Sequence, residues 1–392
     1  MWTILIIYLL ILSFFLSIKL RFKNYRINIK ELIKKDKTSL FLTLGTKIGV
    51  GSIIGTASSI LIGGFSSLIW IIIFSVLFTS LIYYESYYGN KYKKNNIGGP
   101  YFIIKYGLNK KTLSTISLIL LIFVYSFFFQ MIQFNTISYI LINSLKISKF
   151  IIIIISLVLL IVTLNLKTND ILSVLNKIVP YMCVFFVSVC IFVIIKNINN
   201  INLNIFFEDF NSIKSIFSGL VIGVKRSIFM NEILIGTTST GAASDKNNIN
   251  ISIKYQILST YFISIIITIL VALLLLIYMN GNVIPDDYNL LINNVFDNLL
   301  GKFGTYFLLI IYLLFGITTV LSGYYIGLSN VEFLKNKKVF ILLFKLLFII
   351  SCILGIVLKN NYIWKYLDIL IFIMIIINSY SIICLVMRND RK

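Results

Sequence analysis

Apolar residues occur along this chain in long continuous runs, not in an alternating pattern. A helix that crosses a lipid bilayer needs about 20 predominantly apolar residues. The runs lie near residues 2–20, 38–62, 65–88, 112–144, 149–166, 172–196, 213–243, 252–279, 303–330, 338–358 and 362–387. The pattern therefore predicts an all-α membrane protein with about eleven transmembrane helices.

The composition excludes a water-soluble protein. Hydrophobic residues make up 59% of the chain and charged residues 12%, whereas soluble globular domains have about 45–50% and about 25%. Disordered chains and coiled coils need more charge than this. The chain has no His, which excludes imidazole ligands, and we expect its four Cys, all inside apolar runs, to be packing residues.

The positive charges lie in short loops between the apolar runs. Lys and Arg number 35 against 14 Asp and Glu, but this excess follows membrane topology and does not indicate nucleic acid binding. The basic loops are 21–37, 91–111 and 335–338, together with Lys167, Lys246 and the tail 388–392, and the opposite side carries Glu208, Asp209, Asp286, Asp287 and Asp297. The positive-inside rule predicts an external N-terminus and a cytoplasmic C-terminus. The first run has no cleavage site and is interpreted as a retained span.

Two spans are interrupted by Gly and hydroxyl residues. The second span contains GTKIGVGSIIGT (45–56), and the seventh contains GVKR (223–226), MNE (230–232) and GTTSTG (236–241). Close helix packing is one explanation, because Gly45/Gly49 and Gly51/Gly55 have small-xxx-small spacing. However, each segment begins a set of five spans, and interrupted helices at matching positions indicate an inverted-repeat transporter.

This spacing predicts two inverted repeats and one extra helix. The predicted units are 1–37, the extra span and basic cytoplasmic loop; 38–196, the first repeat; 197–212, an extracellular connector; 213–387, the second repeat; and 388–392, the cytoplasmic tail. Broken helices leave backbone N–H and C=O groups without partners, which is tolerated only around a cavity. Such groups suit a zwitterionic amino acid and Na⁺. Hydroxyls such as Thr318 and Thr319 could complete a Na⁺ shell or simply bond within their own helix.

Several blocks resemble the bacterial sodium:alanine (alanine or glycine:cation) symporter family of the amino acid–polyamine–cation superfamily. They cover about residues 40–385. The blocks are LGTKIGVGSIIGTASSILIGG (44–64), GGFSSLIW (63–70), IGGPYFIIKYGL (97–108), QFNTI (133–137), GVKRSIFMNEILIG (223–236) and LDILIFIMIIIN (367–378). The resemblance implies a LeuT-like five-plus-five inverted-repeat fold in the bacterial plasma membrane. It also implies Na⁺-driven uptake of alanine or glycine, with no cofactor beyond the transported Na⁺, and we expect a monomer.

The resemblance also implies the site residues. The substrate residues would be Gly49, Gly51, Ser52, Gln133, Asn231, Gly236 and Gly323. The Na⁺ ligands would be Thr318 and Thr319 with carbonyl groups near Gly45 and Ile48. The chain departs from the family pattern in three places: Ser52 replaces the usual Asn, Ile233 and Leu234 replace small residues, and Gly323 stands where an aromatic residue is expected. These departures bear on substrate size and ion stoichiometry.

Charged residues inside apolar runs need a reason, because each costs roughly 2.5–3.5 kcal/mol on insertion. We interpret Glu85, among tyrosines at the end of the third span, as an interfacial anchor, and Asp368 as a partner of Lys365. Glu232 is expected to pair with Lys225, Arg226 or Lys47 in a structural or gating role, with proton transport as the competing role. Lys47 is expected to extend toward the cytoplasm.

The leading hypothesis is a secondary transporter that imports a small neutral amino acid with Na⁺ by alternating access. One alternative keeps the fold and couples uptake to H⁺ through Glu232. A second alternative is a sensor that kept the fold and lost transport. An enzyme is disfavoured because neither a Ser nucleophile elbow nor a carboxylate cluster is present in the sequence.

Overall fold

The computed structural model describes residues 2–25, 27–331, 334, 337–358 and 360–389. Within these residues the regular structure is helical, and extended backbone pairs at one isolated bridge, Lys94 with Ile97. Four basic residues used to predict the orientation, Arg26, Lys335, Arg391 and Lys392, lie outside the described residues.

The first half of the chain contains one helix before the first interrupted span and a series of helices after it. Their bounds are α1 Trp2–Lys19, α2 Thr38–Lys47, α3 Val50–Gly63, α4 Ser66–Leu77, α5 Thr79–Lys91, α6 Pro100–Phe102, α7 Lys111–Phe123, α8 Phe129–Asn143, α9 Lys149–Leu164 and α10 Thr168–Lys196. A π-helical segment, Val124–Phe128, joins α7 to α8, so that these helices form one continuous span.

The second half contains the second interrupted span, a short helix before it and a series of helices after it. Its helices are α11 Leu203–Glu208, α12 Ile213–Met230, α13 Thr237–Ala243, α14 Ile249–Tyr261, α15 Thr268–Met279, α16 Tyr288–Leu300, α17 Phe303–Val331, α18 Lys337–Val357 and α19 Asn360–Asn389. The π-helical segment Phe262–Ile267 joins α14 to α15. Helix α16 was not predicted; it lies in the loop after the eighth span and packs against α17 and α3.

Each predicted span coincides with a helix or a pair of helices. Among the described residues, seven helices are long and apolar enough to cross a membrane, and nine if each of two bent pairs is one span. The bent pairs are α2 with α3 and α4 with α5. The other two predicted spans are α9, which has 16 residues, and the interrupted pair α12 and α13. The chain is therefore a multi-pass membrane protein.

The two interrupted spans pack side by side in opposite directions. Helix α12 contacts α3, while α13 contacts α2, so the two breaks lie at the same level. Helices α10 and α17 pack against α2, α4 packs against α12, and α5 packs against α13. This arrangement surrounds both breaks with protein, which is the setting that non-helical backbone needs at membrane depth.

Candidate functional site

A small cavity of about 30 Å³ lies between the two breaks. We call it the central cavity. Its lining residues are Thr46, Lys47, Gly49, Gly51 and Ser52 at and around the first break, Phe129, Ile132 and Gln133 from α8, Phe229, Met230 and Glu232 at and before the second break, and Thr319 from α17. Five predicted site residues are among them: Gly49, Gly51, Ser52, Gln133 and Thr319.

The break in the second span is short. It consists of Ile48 and Gly49, where the backbone becomes extended (φ −111°, ψ 179° at Gly49), and α2 and α3 meet at an angle of 48°. The Ser52 hydroxyl donates a hydrogen bond to the Gly49 carbonyl oxygen at 2.8 Å. The Val50 N–H, at the N-terminus of α3, donates to Gln133 Oε1 at 3.3 Å. Gln133 thus binds a backbone amide that the break exposes.

The hydroxyl of Thr319 reaches across to the second span. Its Oγ1 lies 3.1 Å from the Gly45 carbonyl oxygen and 2.8 Å from the Phe315 carbonyl oxygen of its own helix, and these two acceptors share its one proton. The neighbouring Thr318 hydroxyl lies 3.0 Å from the Leu314 carbonyl oxygen and 3.4 Å from Met182 Sδ. The structure therefore brings Thr319 together with Gly45, whereas Thr318 bonds within α17 and faces α10.

The break in the seventh span is longer and its backbone is unusual. Between α12 and α13, Glu232 and Leu234 have positive φ angles of 49° and 59°. Gly236, with φ 118°, is the residue before α13. Non-glycine residues with positive φ are uncommon, and they persist only where surrounding contacts hold them.

Asn231 does not line the central cavity, contrary to the prediction. Its side-chain Nδ2, with two protons to donate, lies 2.8 Å from both the Ser75 and the Ser264 hydroxyl oxygens and 2.9 Å from the Ser227 carbonyl oxygen. The Ser264 hydroxyl donates back to Asn231 Oδ1 at 3.0 Å. Asn231 ends α12, and there its side chain is turned toward the third and eighth spans.

Gly236 and Gly323 also lie away from the central cavity. Gly236 packs close to Pro100 and Leu121, and Gly323 packs against Gln130 and the backbone of Tyr125. Both glycines thus allow close approach of neighbouring segments, as in helix packing.

Glu232 is held by hydroxyl groups, not by a cation. Its Oε2 accepts a hydrogen bond from the Tyr125 hydroxyl at 3.0 Å and another from the Thr237 hydroxyl. The ion pairs among the described residues are Lys225–Asp368 and Lys254–Glu31, so the predicted salt bridge to Glu232 is absent there. Lys47 lies within electrostatic range of Glu232 but donates to the Ser259 and Thr260 hydroxyls at 3.1 and 3.3 Å.

Three other interpretations of charged residues were wrong. Lys47 is 3% exposed and so does not extend to the membrane surface. Glu85 is 1% exposed and accepts hydrogen bonds from the Leu234 N–H at 2.9 Å and the Ser239 hydroxyl at 3.2 Å, so it supports the second break and is not an interfacial anchor. Asp368 pairs with Lys225 of α12, not with Lys365.

The apolar walls of the central cavity were not predicted from the sequence. Phe129, Ile132, Phe229 and Met230 contribute its apolar walls. Phe129 and Ile132 lie four residues and one residue before Gln133, and Phe229 and Met230 directly precede the second break. Helical periodicity identifies Phe129 as a neighbour of Gln133 on one face of α8, but nothing distinguishes it from the many other Phe residues of the spans.

The comparisons with known proteins agree with this arrangement. The family model described as the sodium:alanine symporter family matches residues 1–389. The chain is 24% identical to a protein of Bacillus subtilis named "Probable sodium/glutamine symporter GlnT", with 98% of this chain and 86% of the relative covered. It is 25% identical to the sodium/proton-dependent alanine carrier protein of Bacillus sp. PS3, with 88% and 84% covered.

The fold also matches a solved transporter structure. The manganese transporter of Eremococcus coleocola aligns with a TM-score of 0.54 at 14% identity, covering 89% of this chain and 78% of that one. At this identity the likeness shows the fold alone, and it confirms the predicted all-α, LeuT-like architecture. With the family model matched over almost the whole sequence, the chain belongs to the sodium:alanine symporter family, whose members are membrane transporters and not enzymes.

Proposed function

We propose that this chain imports a small neutral amino acid, alanine or glycine, together with Na⁺ by alternating access. The observation that carries the proposal is the meeting of two helix breaks at one cavity, with Gln133 and Thr319 beside the first break. Family membership supports the same class of substrate and ion.

The first break offers groups that suit an amino acid carboxylate. Helix α3 has 14 residues, and its N-terminus at Val50 faces the central cavity region through Gly49 and Gly51. Free N–H groups and the positive end of the helix dipole favour a carboxylate at this point. The side-chain oxygen of Gln133 accepts a hydrogen bond from the Val50 N–H. A substrate carboxylate can take the place of this oxygen if the Gln133 side chain rotates away.

The contact between Thr319 and Gly45 suits Na⁺. A hydroxyl oxygen and a carbonyl oxygen are both hard oxygen ligands, and they lie 3.1 Å apart, on α17 and on the last turn of α2. Carbonyl groups at the end of a half-helix carry the negative end of its dipole and coordinate cations in broken-helix transporters. Ile48 lies at the break itself, one turn beyond Gly45.

The central cavity is smaller than the proposed substrate. Since roughly 10–15 Å³ accommodates one water molecule, the 30 Å³ cavity is too small for an amino acid. Substrate entry therefore requires the surrounding helices to move, as alternating access supposes. Phe129, Ile132, Phe229 and Met230 surround this small space and favour a small side chain on the substrate.

The test is uptake by the purified protein in liposomes. With an inward Na⁺ gradient we expect accumulation of radiolabelled alanine or glycine, and no accumulation when choline replaces Na⁺. Thr319→Ala should raise the Na⁺ concentration needed for half-maximal uptake by about tenfold or more, the loss expected for one ligand to a charged ion. Thr318→Ala, a matched control on the same helix, should have the smaller effect. Glutamine belongs in the substrate panel because of the Bacillus subtilis relative.

Proton coupling is the second candidate, and the buried carboxylate of Glu232 is the observation that favours it. This side chain lines the central cavity and is 5% exposed. If a pH gradient drives uptake without Na⁺, and if Glu232→Gln abolishes this uptake, then the coupling ion is H⁺ and not Na⁺. Binding of alanine without flux under either gradient would instead indicate a sensor.

A further inference from the structure

A second and larger cavity lies on the side of the molecule where α1 begins. Its volume is about 380 Å³, within the range of about 300–1,000 Å³ typical of small-molecule pockets. We call it the outer cavity. Residues of its wall used below are Trp2, Lys225, Arg226, Phe229, Trp364 and Asp368. Only Phe229 is common to the linings of the outer and central cavities.

The outer cavity has an excess of positive charge. Lys225, Arg226 and Lys365 line it, against the single carboxylate of Asp368 among the described lining residues. Lys225 pairs with Asp368. The guanidinium of Arg226 lies over the indole ring of Trp364, with Cζ 5.0 Å from the ring centroid. Within the described part of the chain, Arg226 has neither a carboxylate oxygen within 4 Å nor a hydrogen-bond acceptor.

Aromatic rings separate the outer cavity from the central cavity. The ring of Phe229 packs against Trp364 on one side, at 4.7 Å between centroids, and against Phe129 on the other side, at 5.8 Å. Arg226 precedes Phe229 by three residues on α12, so that both side chains lie on one face of this helix. Arg226 therefore lies about one helical turn before the ring that lines both cavities.

We propose that the outer cavity is a reception site for the carboxylate of an incoming amino acid, with Arg226 as the carboxylate-binding residue. A guanidinium presents paired N–H donors that match a carboxylate in a bidentate pair. Trp364 packs against the guanidinium and, with Phe229, provides an apolar wall for the rest of the ligand. The choice of amino acid rests on the proposed function, whereas the preference for a carboxylate follows from Arg226 alone.

The fluorescence of Trp364 provides a direct test. The chain has three Trp, so Trp2→Phe with Trp70→Phe leaves Trp364 as the sole reporter. Purified full-length protein in nanodiscs is titrated with choline propionate, a carboxylate without an amino group, against choline chloride at equal ionic strength. We expect a saturable change in Trp364 emission with propionate and with alanine, and Arg226→Gln should weaken both by about tenfold or more.

Three variants make the result decisive. Lys365→Gln removes one positive charge from the same wall and should change the affinity by less than about twofold, as expected for an exposed charge. Arg226→Lys keeps the charge and should bind more weakly than the wild type, which tests the paired donors if Arg226→Gln does not fold. Gln133→Ala alters the central cavity and should leave the propionate response intact.

The proposal is overturned if folded protein shows no saturable response to propionate, if Arg226→Gln responds like the wild type, or if Gln133→Ala loses the response. The titration does not depend on transport. If propionate binds but no amino acid is taken up, the proposed function is wrong and the outer site stands. If amino acids are taken up but propionate does not bind, the outer site is wrong and the proposed function stands.

Discussion

Gly49 is the point at which the side chains of the candidate site converge. Its φ of −111° is accessible to any residue, so its backbone conformation does not require glycine. Space does. A Cβ atom at this position would lie 2.9 Å from Thr319 Oγ1 and 3.2 Å from Gln133 Nε2. Glycine therefore allows the proposed Na⁺ ligand and the proposed substrate ligand to approach the same backbone.

Gly49→Ala should abolish Na⁺-driven alanine uptake, because the added methyl group displaces Thr319 or Gln133. Gly55→Ala is the control in α3, the helix that follows Gly49: its Cβ would meet Met230 Cγ at 3.7 Å, an ordinary contact. Alanine also favours a helix interior over glycine by about 1 kcal/mol, so this control should fold and transport. Wild-type uptake by Gly49→Ala would show that the close approach is not needed for transport.

At the scale of elements, the second break is held by two neighbouring helices. Glu85 of α5 accepts from the Leu234 N–H at 2.9 Å, and Asn378 of α19 donates to the Leu234 carbonyl oxygen at 2.6 Å. Buried backbone groups need partners of this kind once they leave a helix. The peptide groups of Leu234 thus have the same number of hydrogen bonds as they would have in a helix, although the chain is unwound with positive φ there.

Glu85→Ala should lower both thermal stability and uptake. It leaves the Leu234 N–H buried without an acceptor, which costs about 1–3 kcal/mol. Glu85→Gln keeps an acceptor oxygen of the same reach and should retain most of the stability. Thermal unfolding of the purified variants in detergent measures the difference. Equal midpoints for Glu85→Ala and wild type would mean that Glu85 does not support the break.

At the scale of the whole molecule, the two spans with polar breaks lie inside a shell of other helices. The breaks face each other, and the apolar side chains of the outer helices face lipid; among these, Phe150, Tyr181 and Phe192 are more than half exposed in the absence of a membrane. The orientation of this body in the bilayer remains a prediction from loop charge.

Cysteine labelling tests the orientation. Val283, which is 89% exposed, lies in the loop after the eighth span, and Lys35 is exposed in the basic loop before the second. With a membrane-impermeant maleimide, Val283→Cys should label in intact cells and Lys35→Cys only after permeabilisation. The native cysteines are buried or half-buried, so the wild type serves as the blank. The opposite labelling pattern would place the N-terminus in the cytoplasm.

The sequence by itself determined the positions of the eleven spans and of the two breaks. The hydrophobic thickness of a bilayer imposes a length on each span, and Gly and polar residues mark the breaks within a span. Spans and breaks can therefore be recognised from short stretches of sequence. Family motifs likewise identified Gly49, Ser52, Gln133 and Thr319, all of which line one cavity.

Only the tertiary structure decided which way the polar side chains face. Asn231 meets Ser75 and Ser264, Glu85 meets Leu234, and Asp368 meets Lys225, each partner lying on another span and most of them more than a hundred residues away. A helix presents side chains in every direction around its axis, and a buried polar group takes the partner that the neighbouring helix offers. The identity of that neighbour is set by the packing of the whole bundle, which no local pattern encodes.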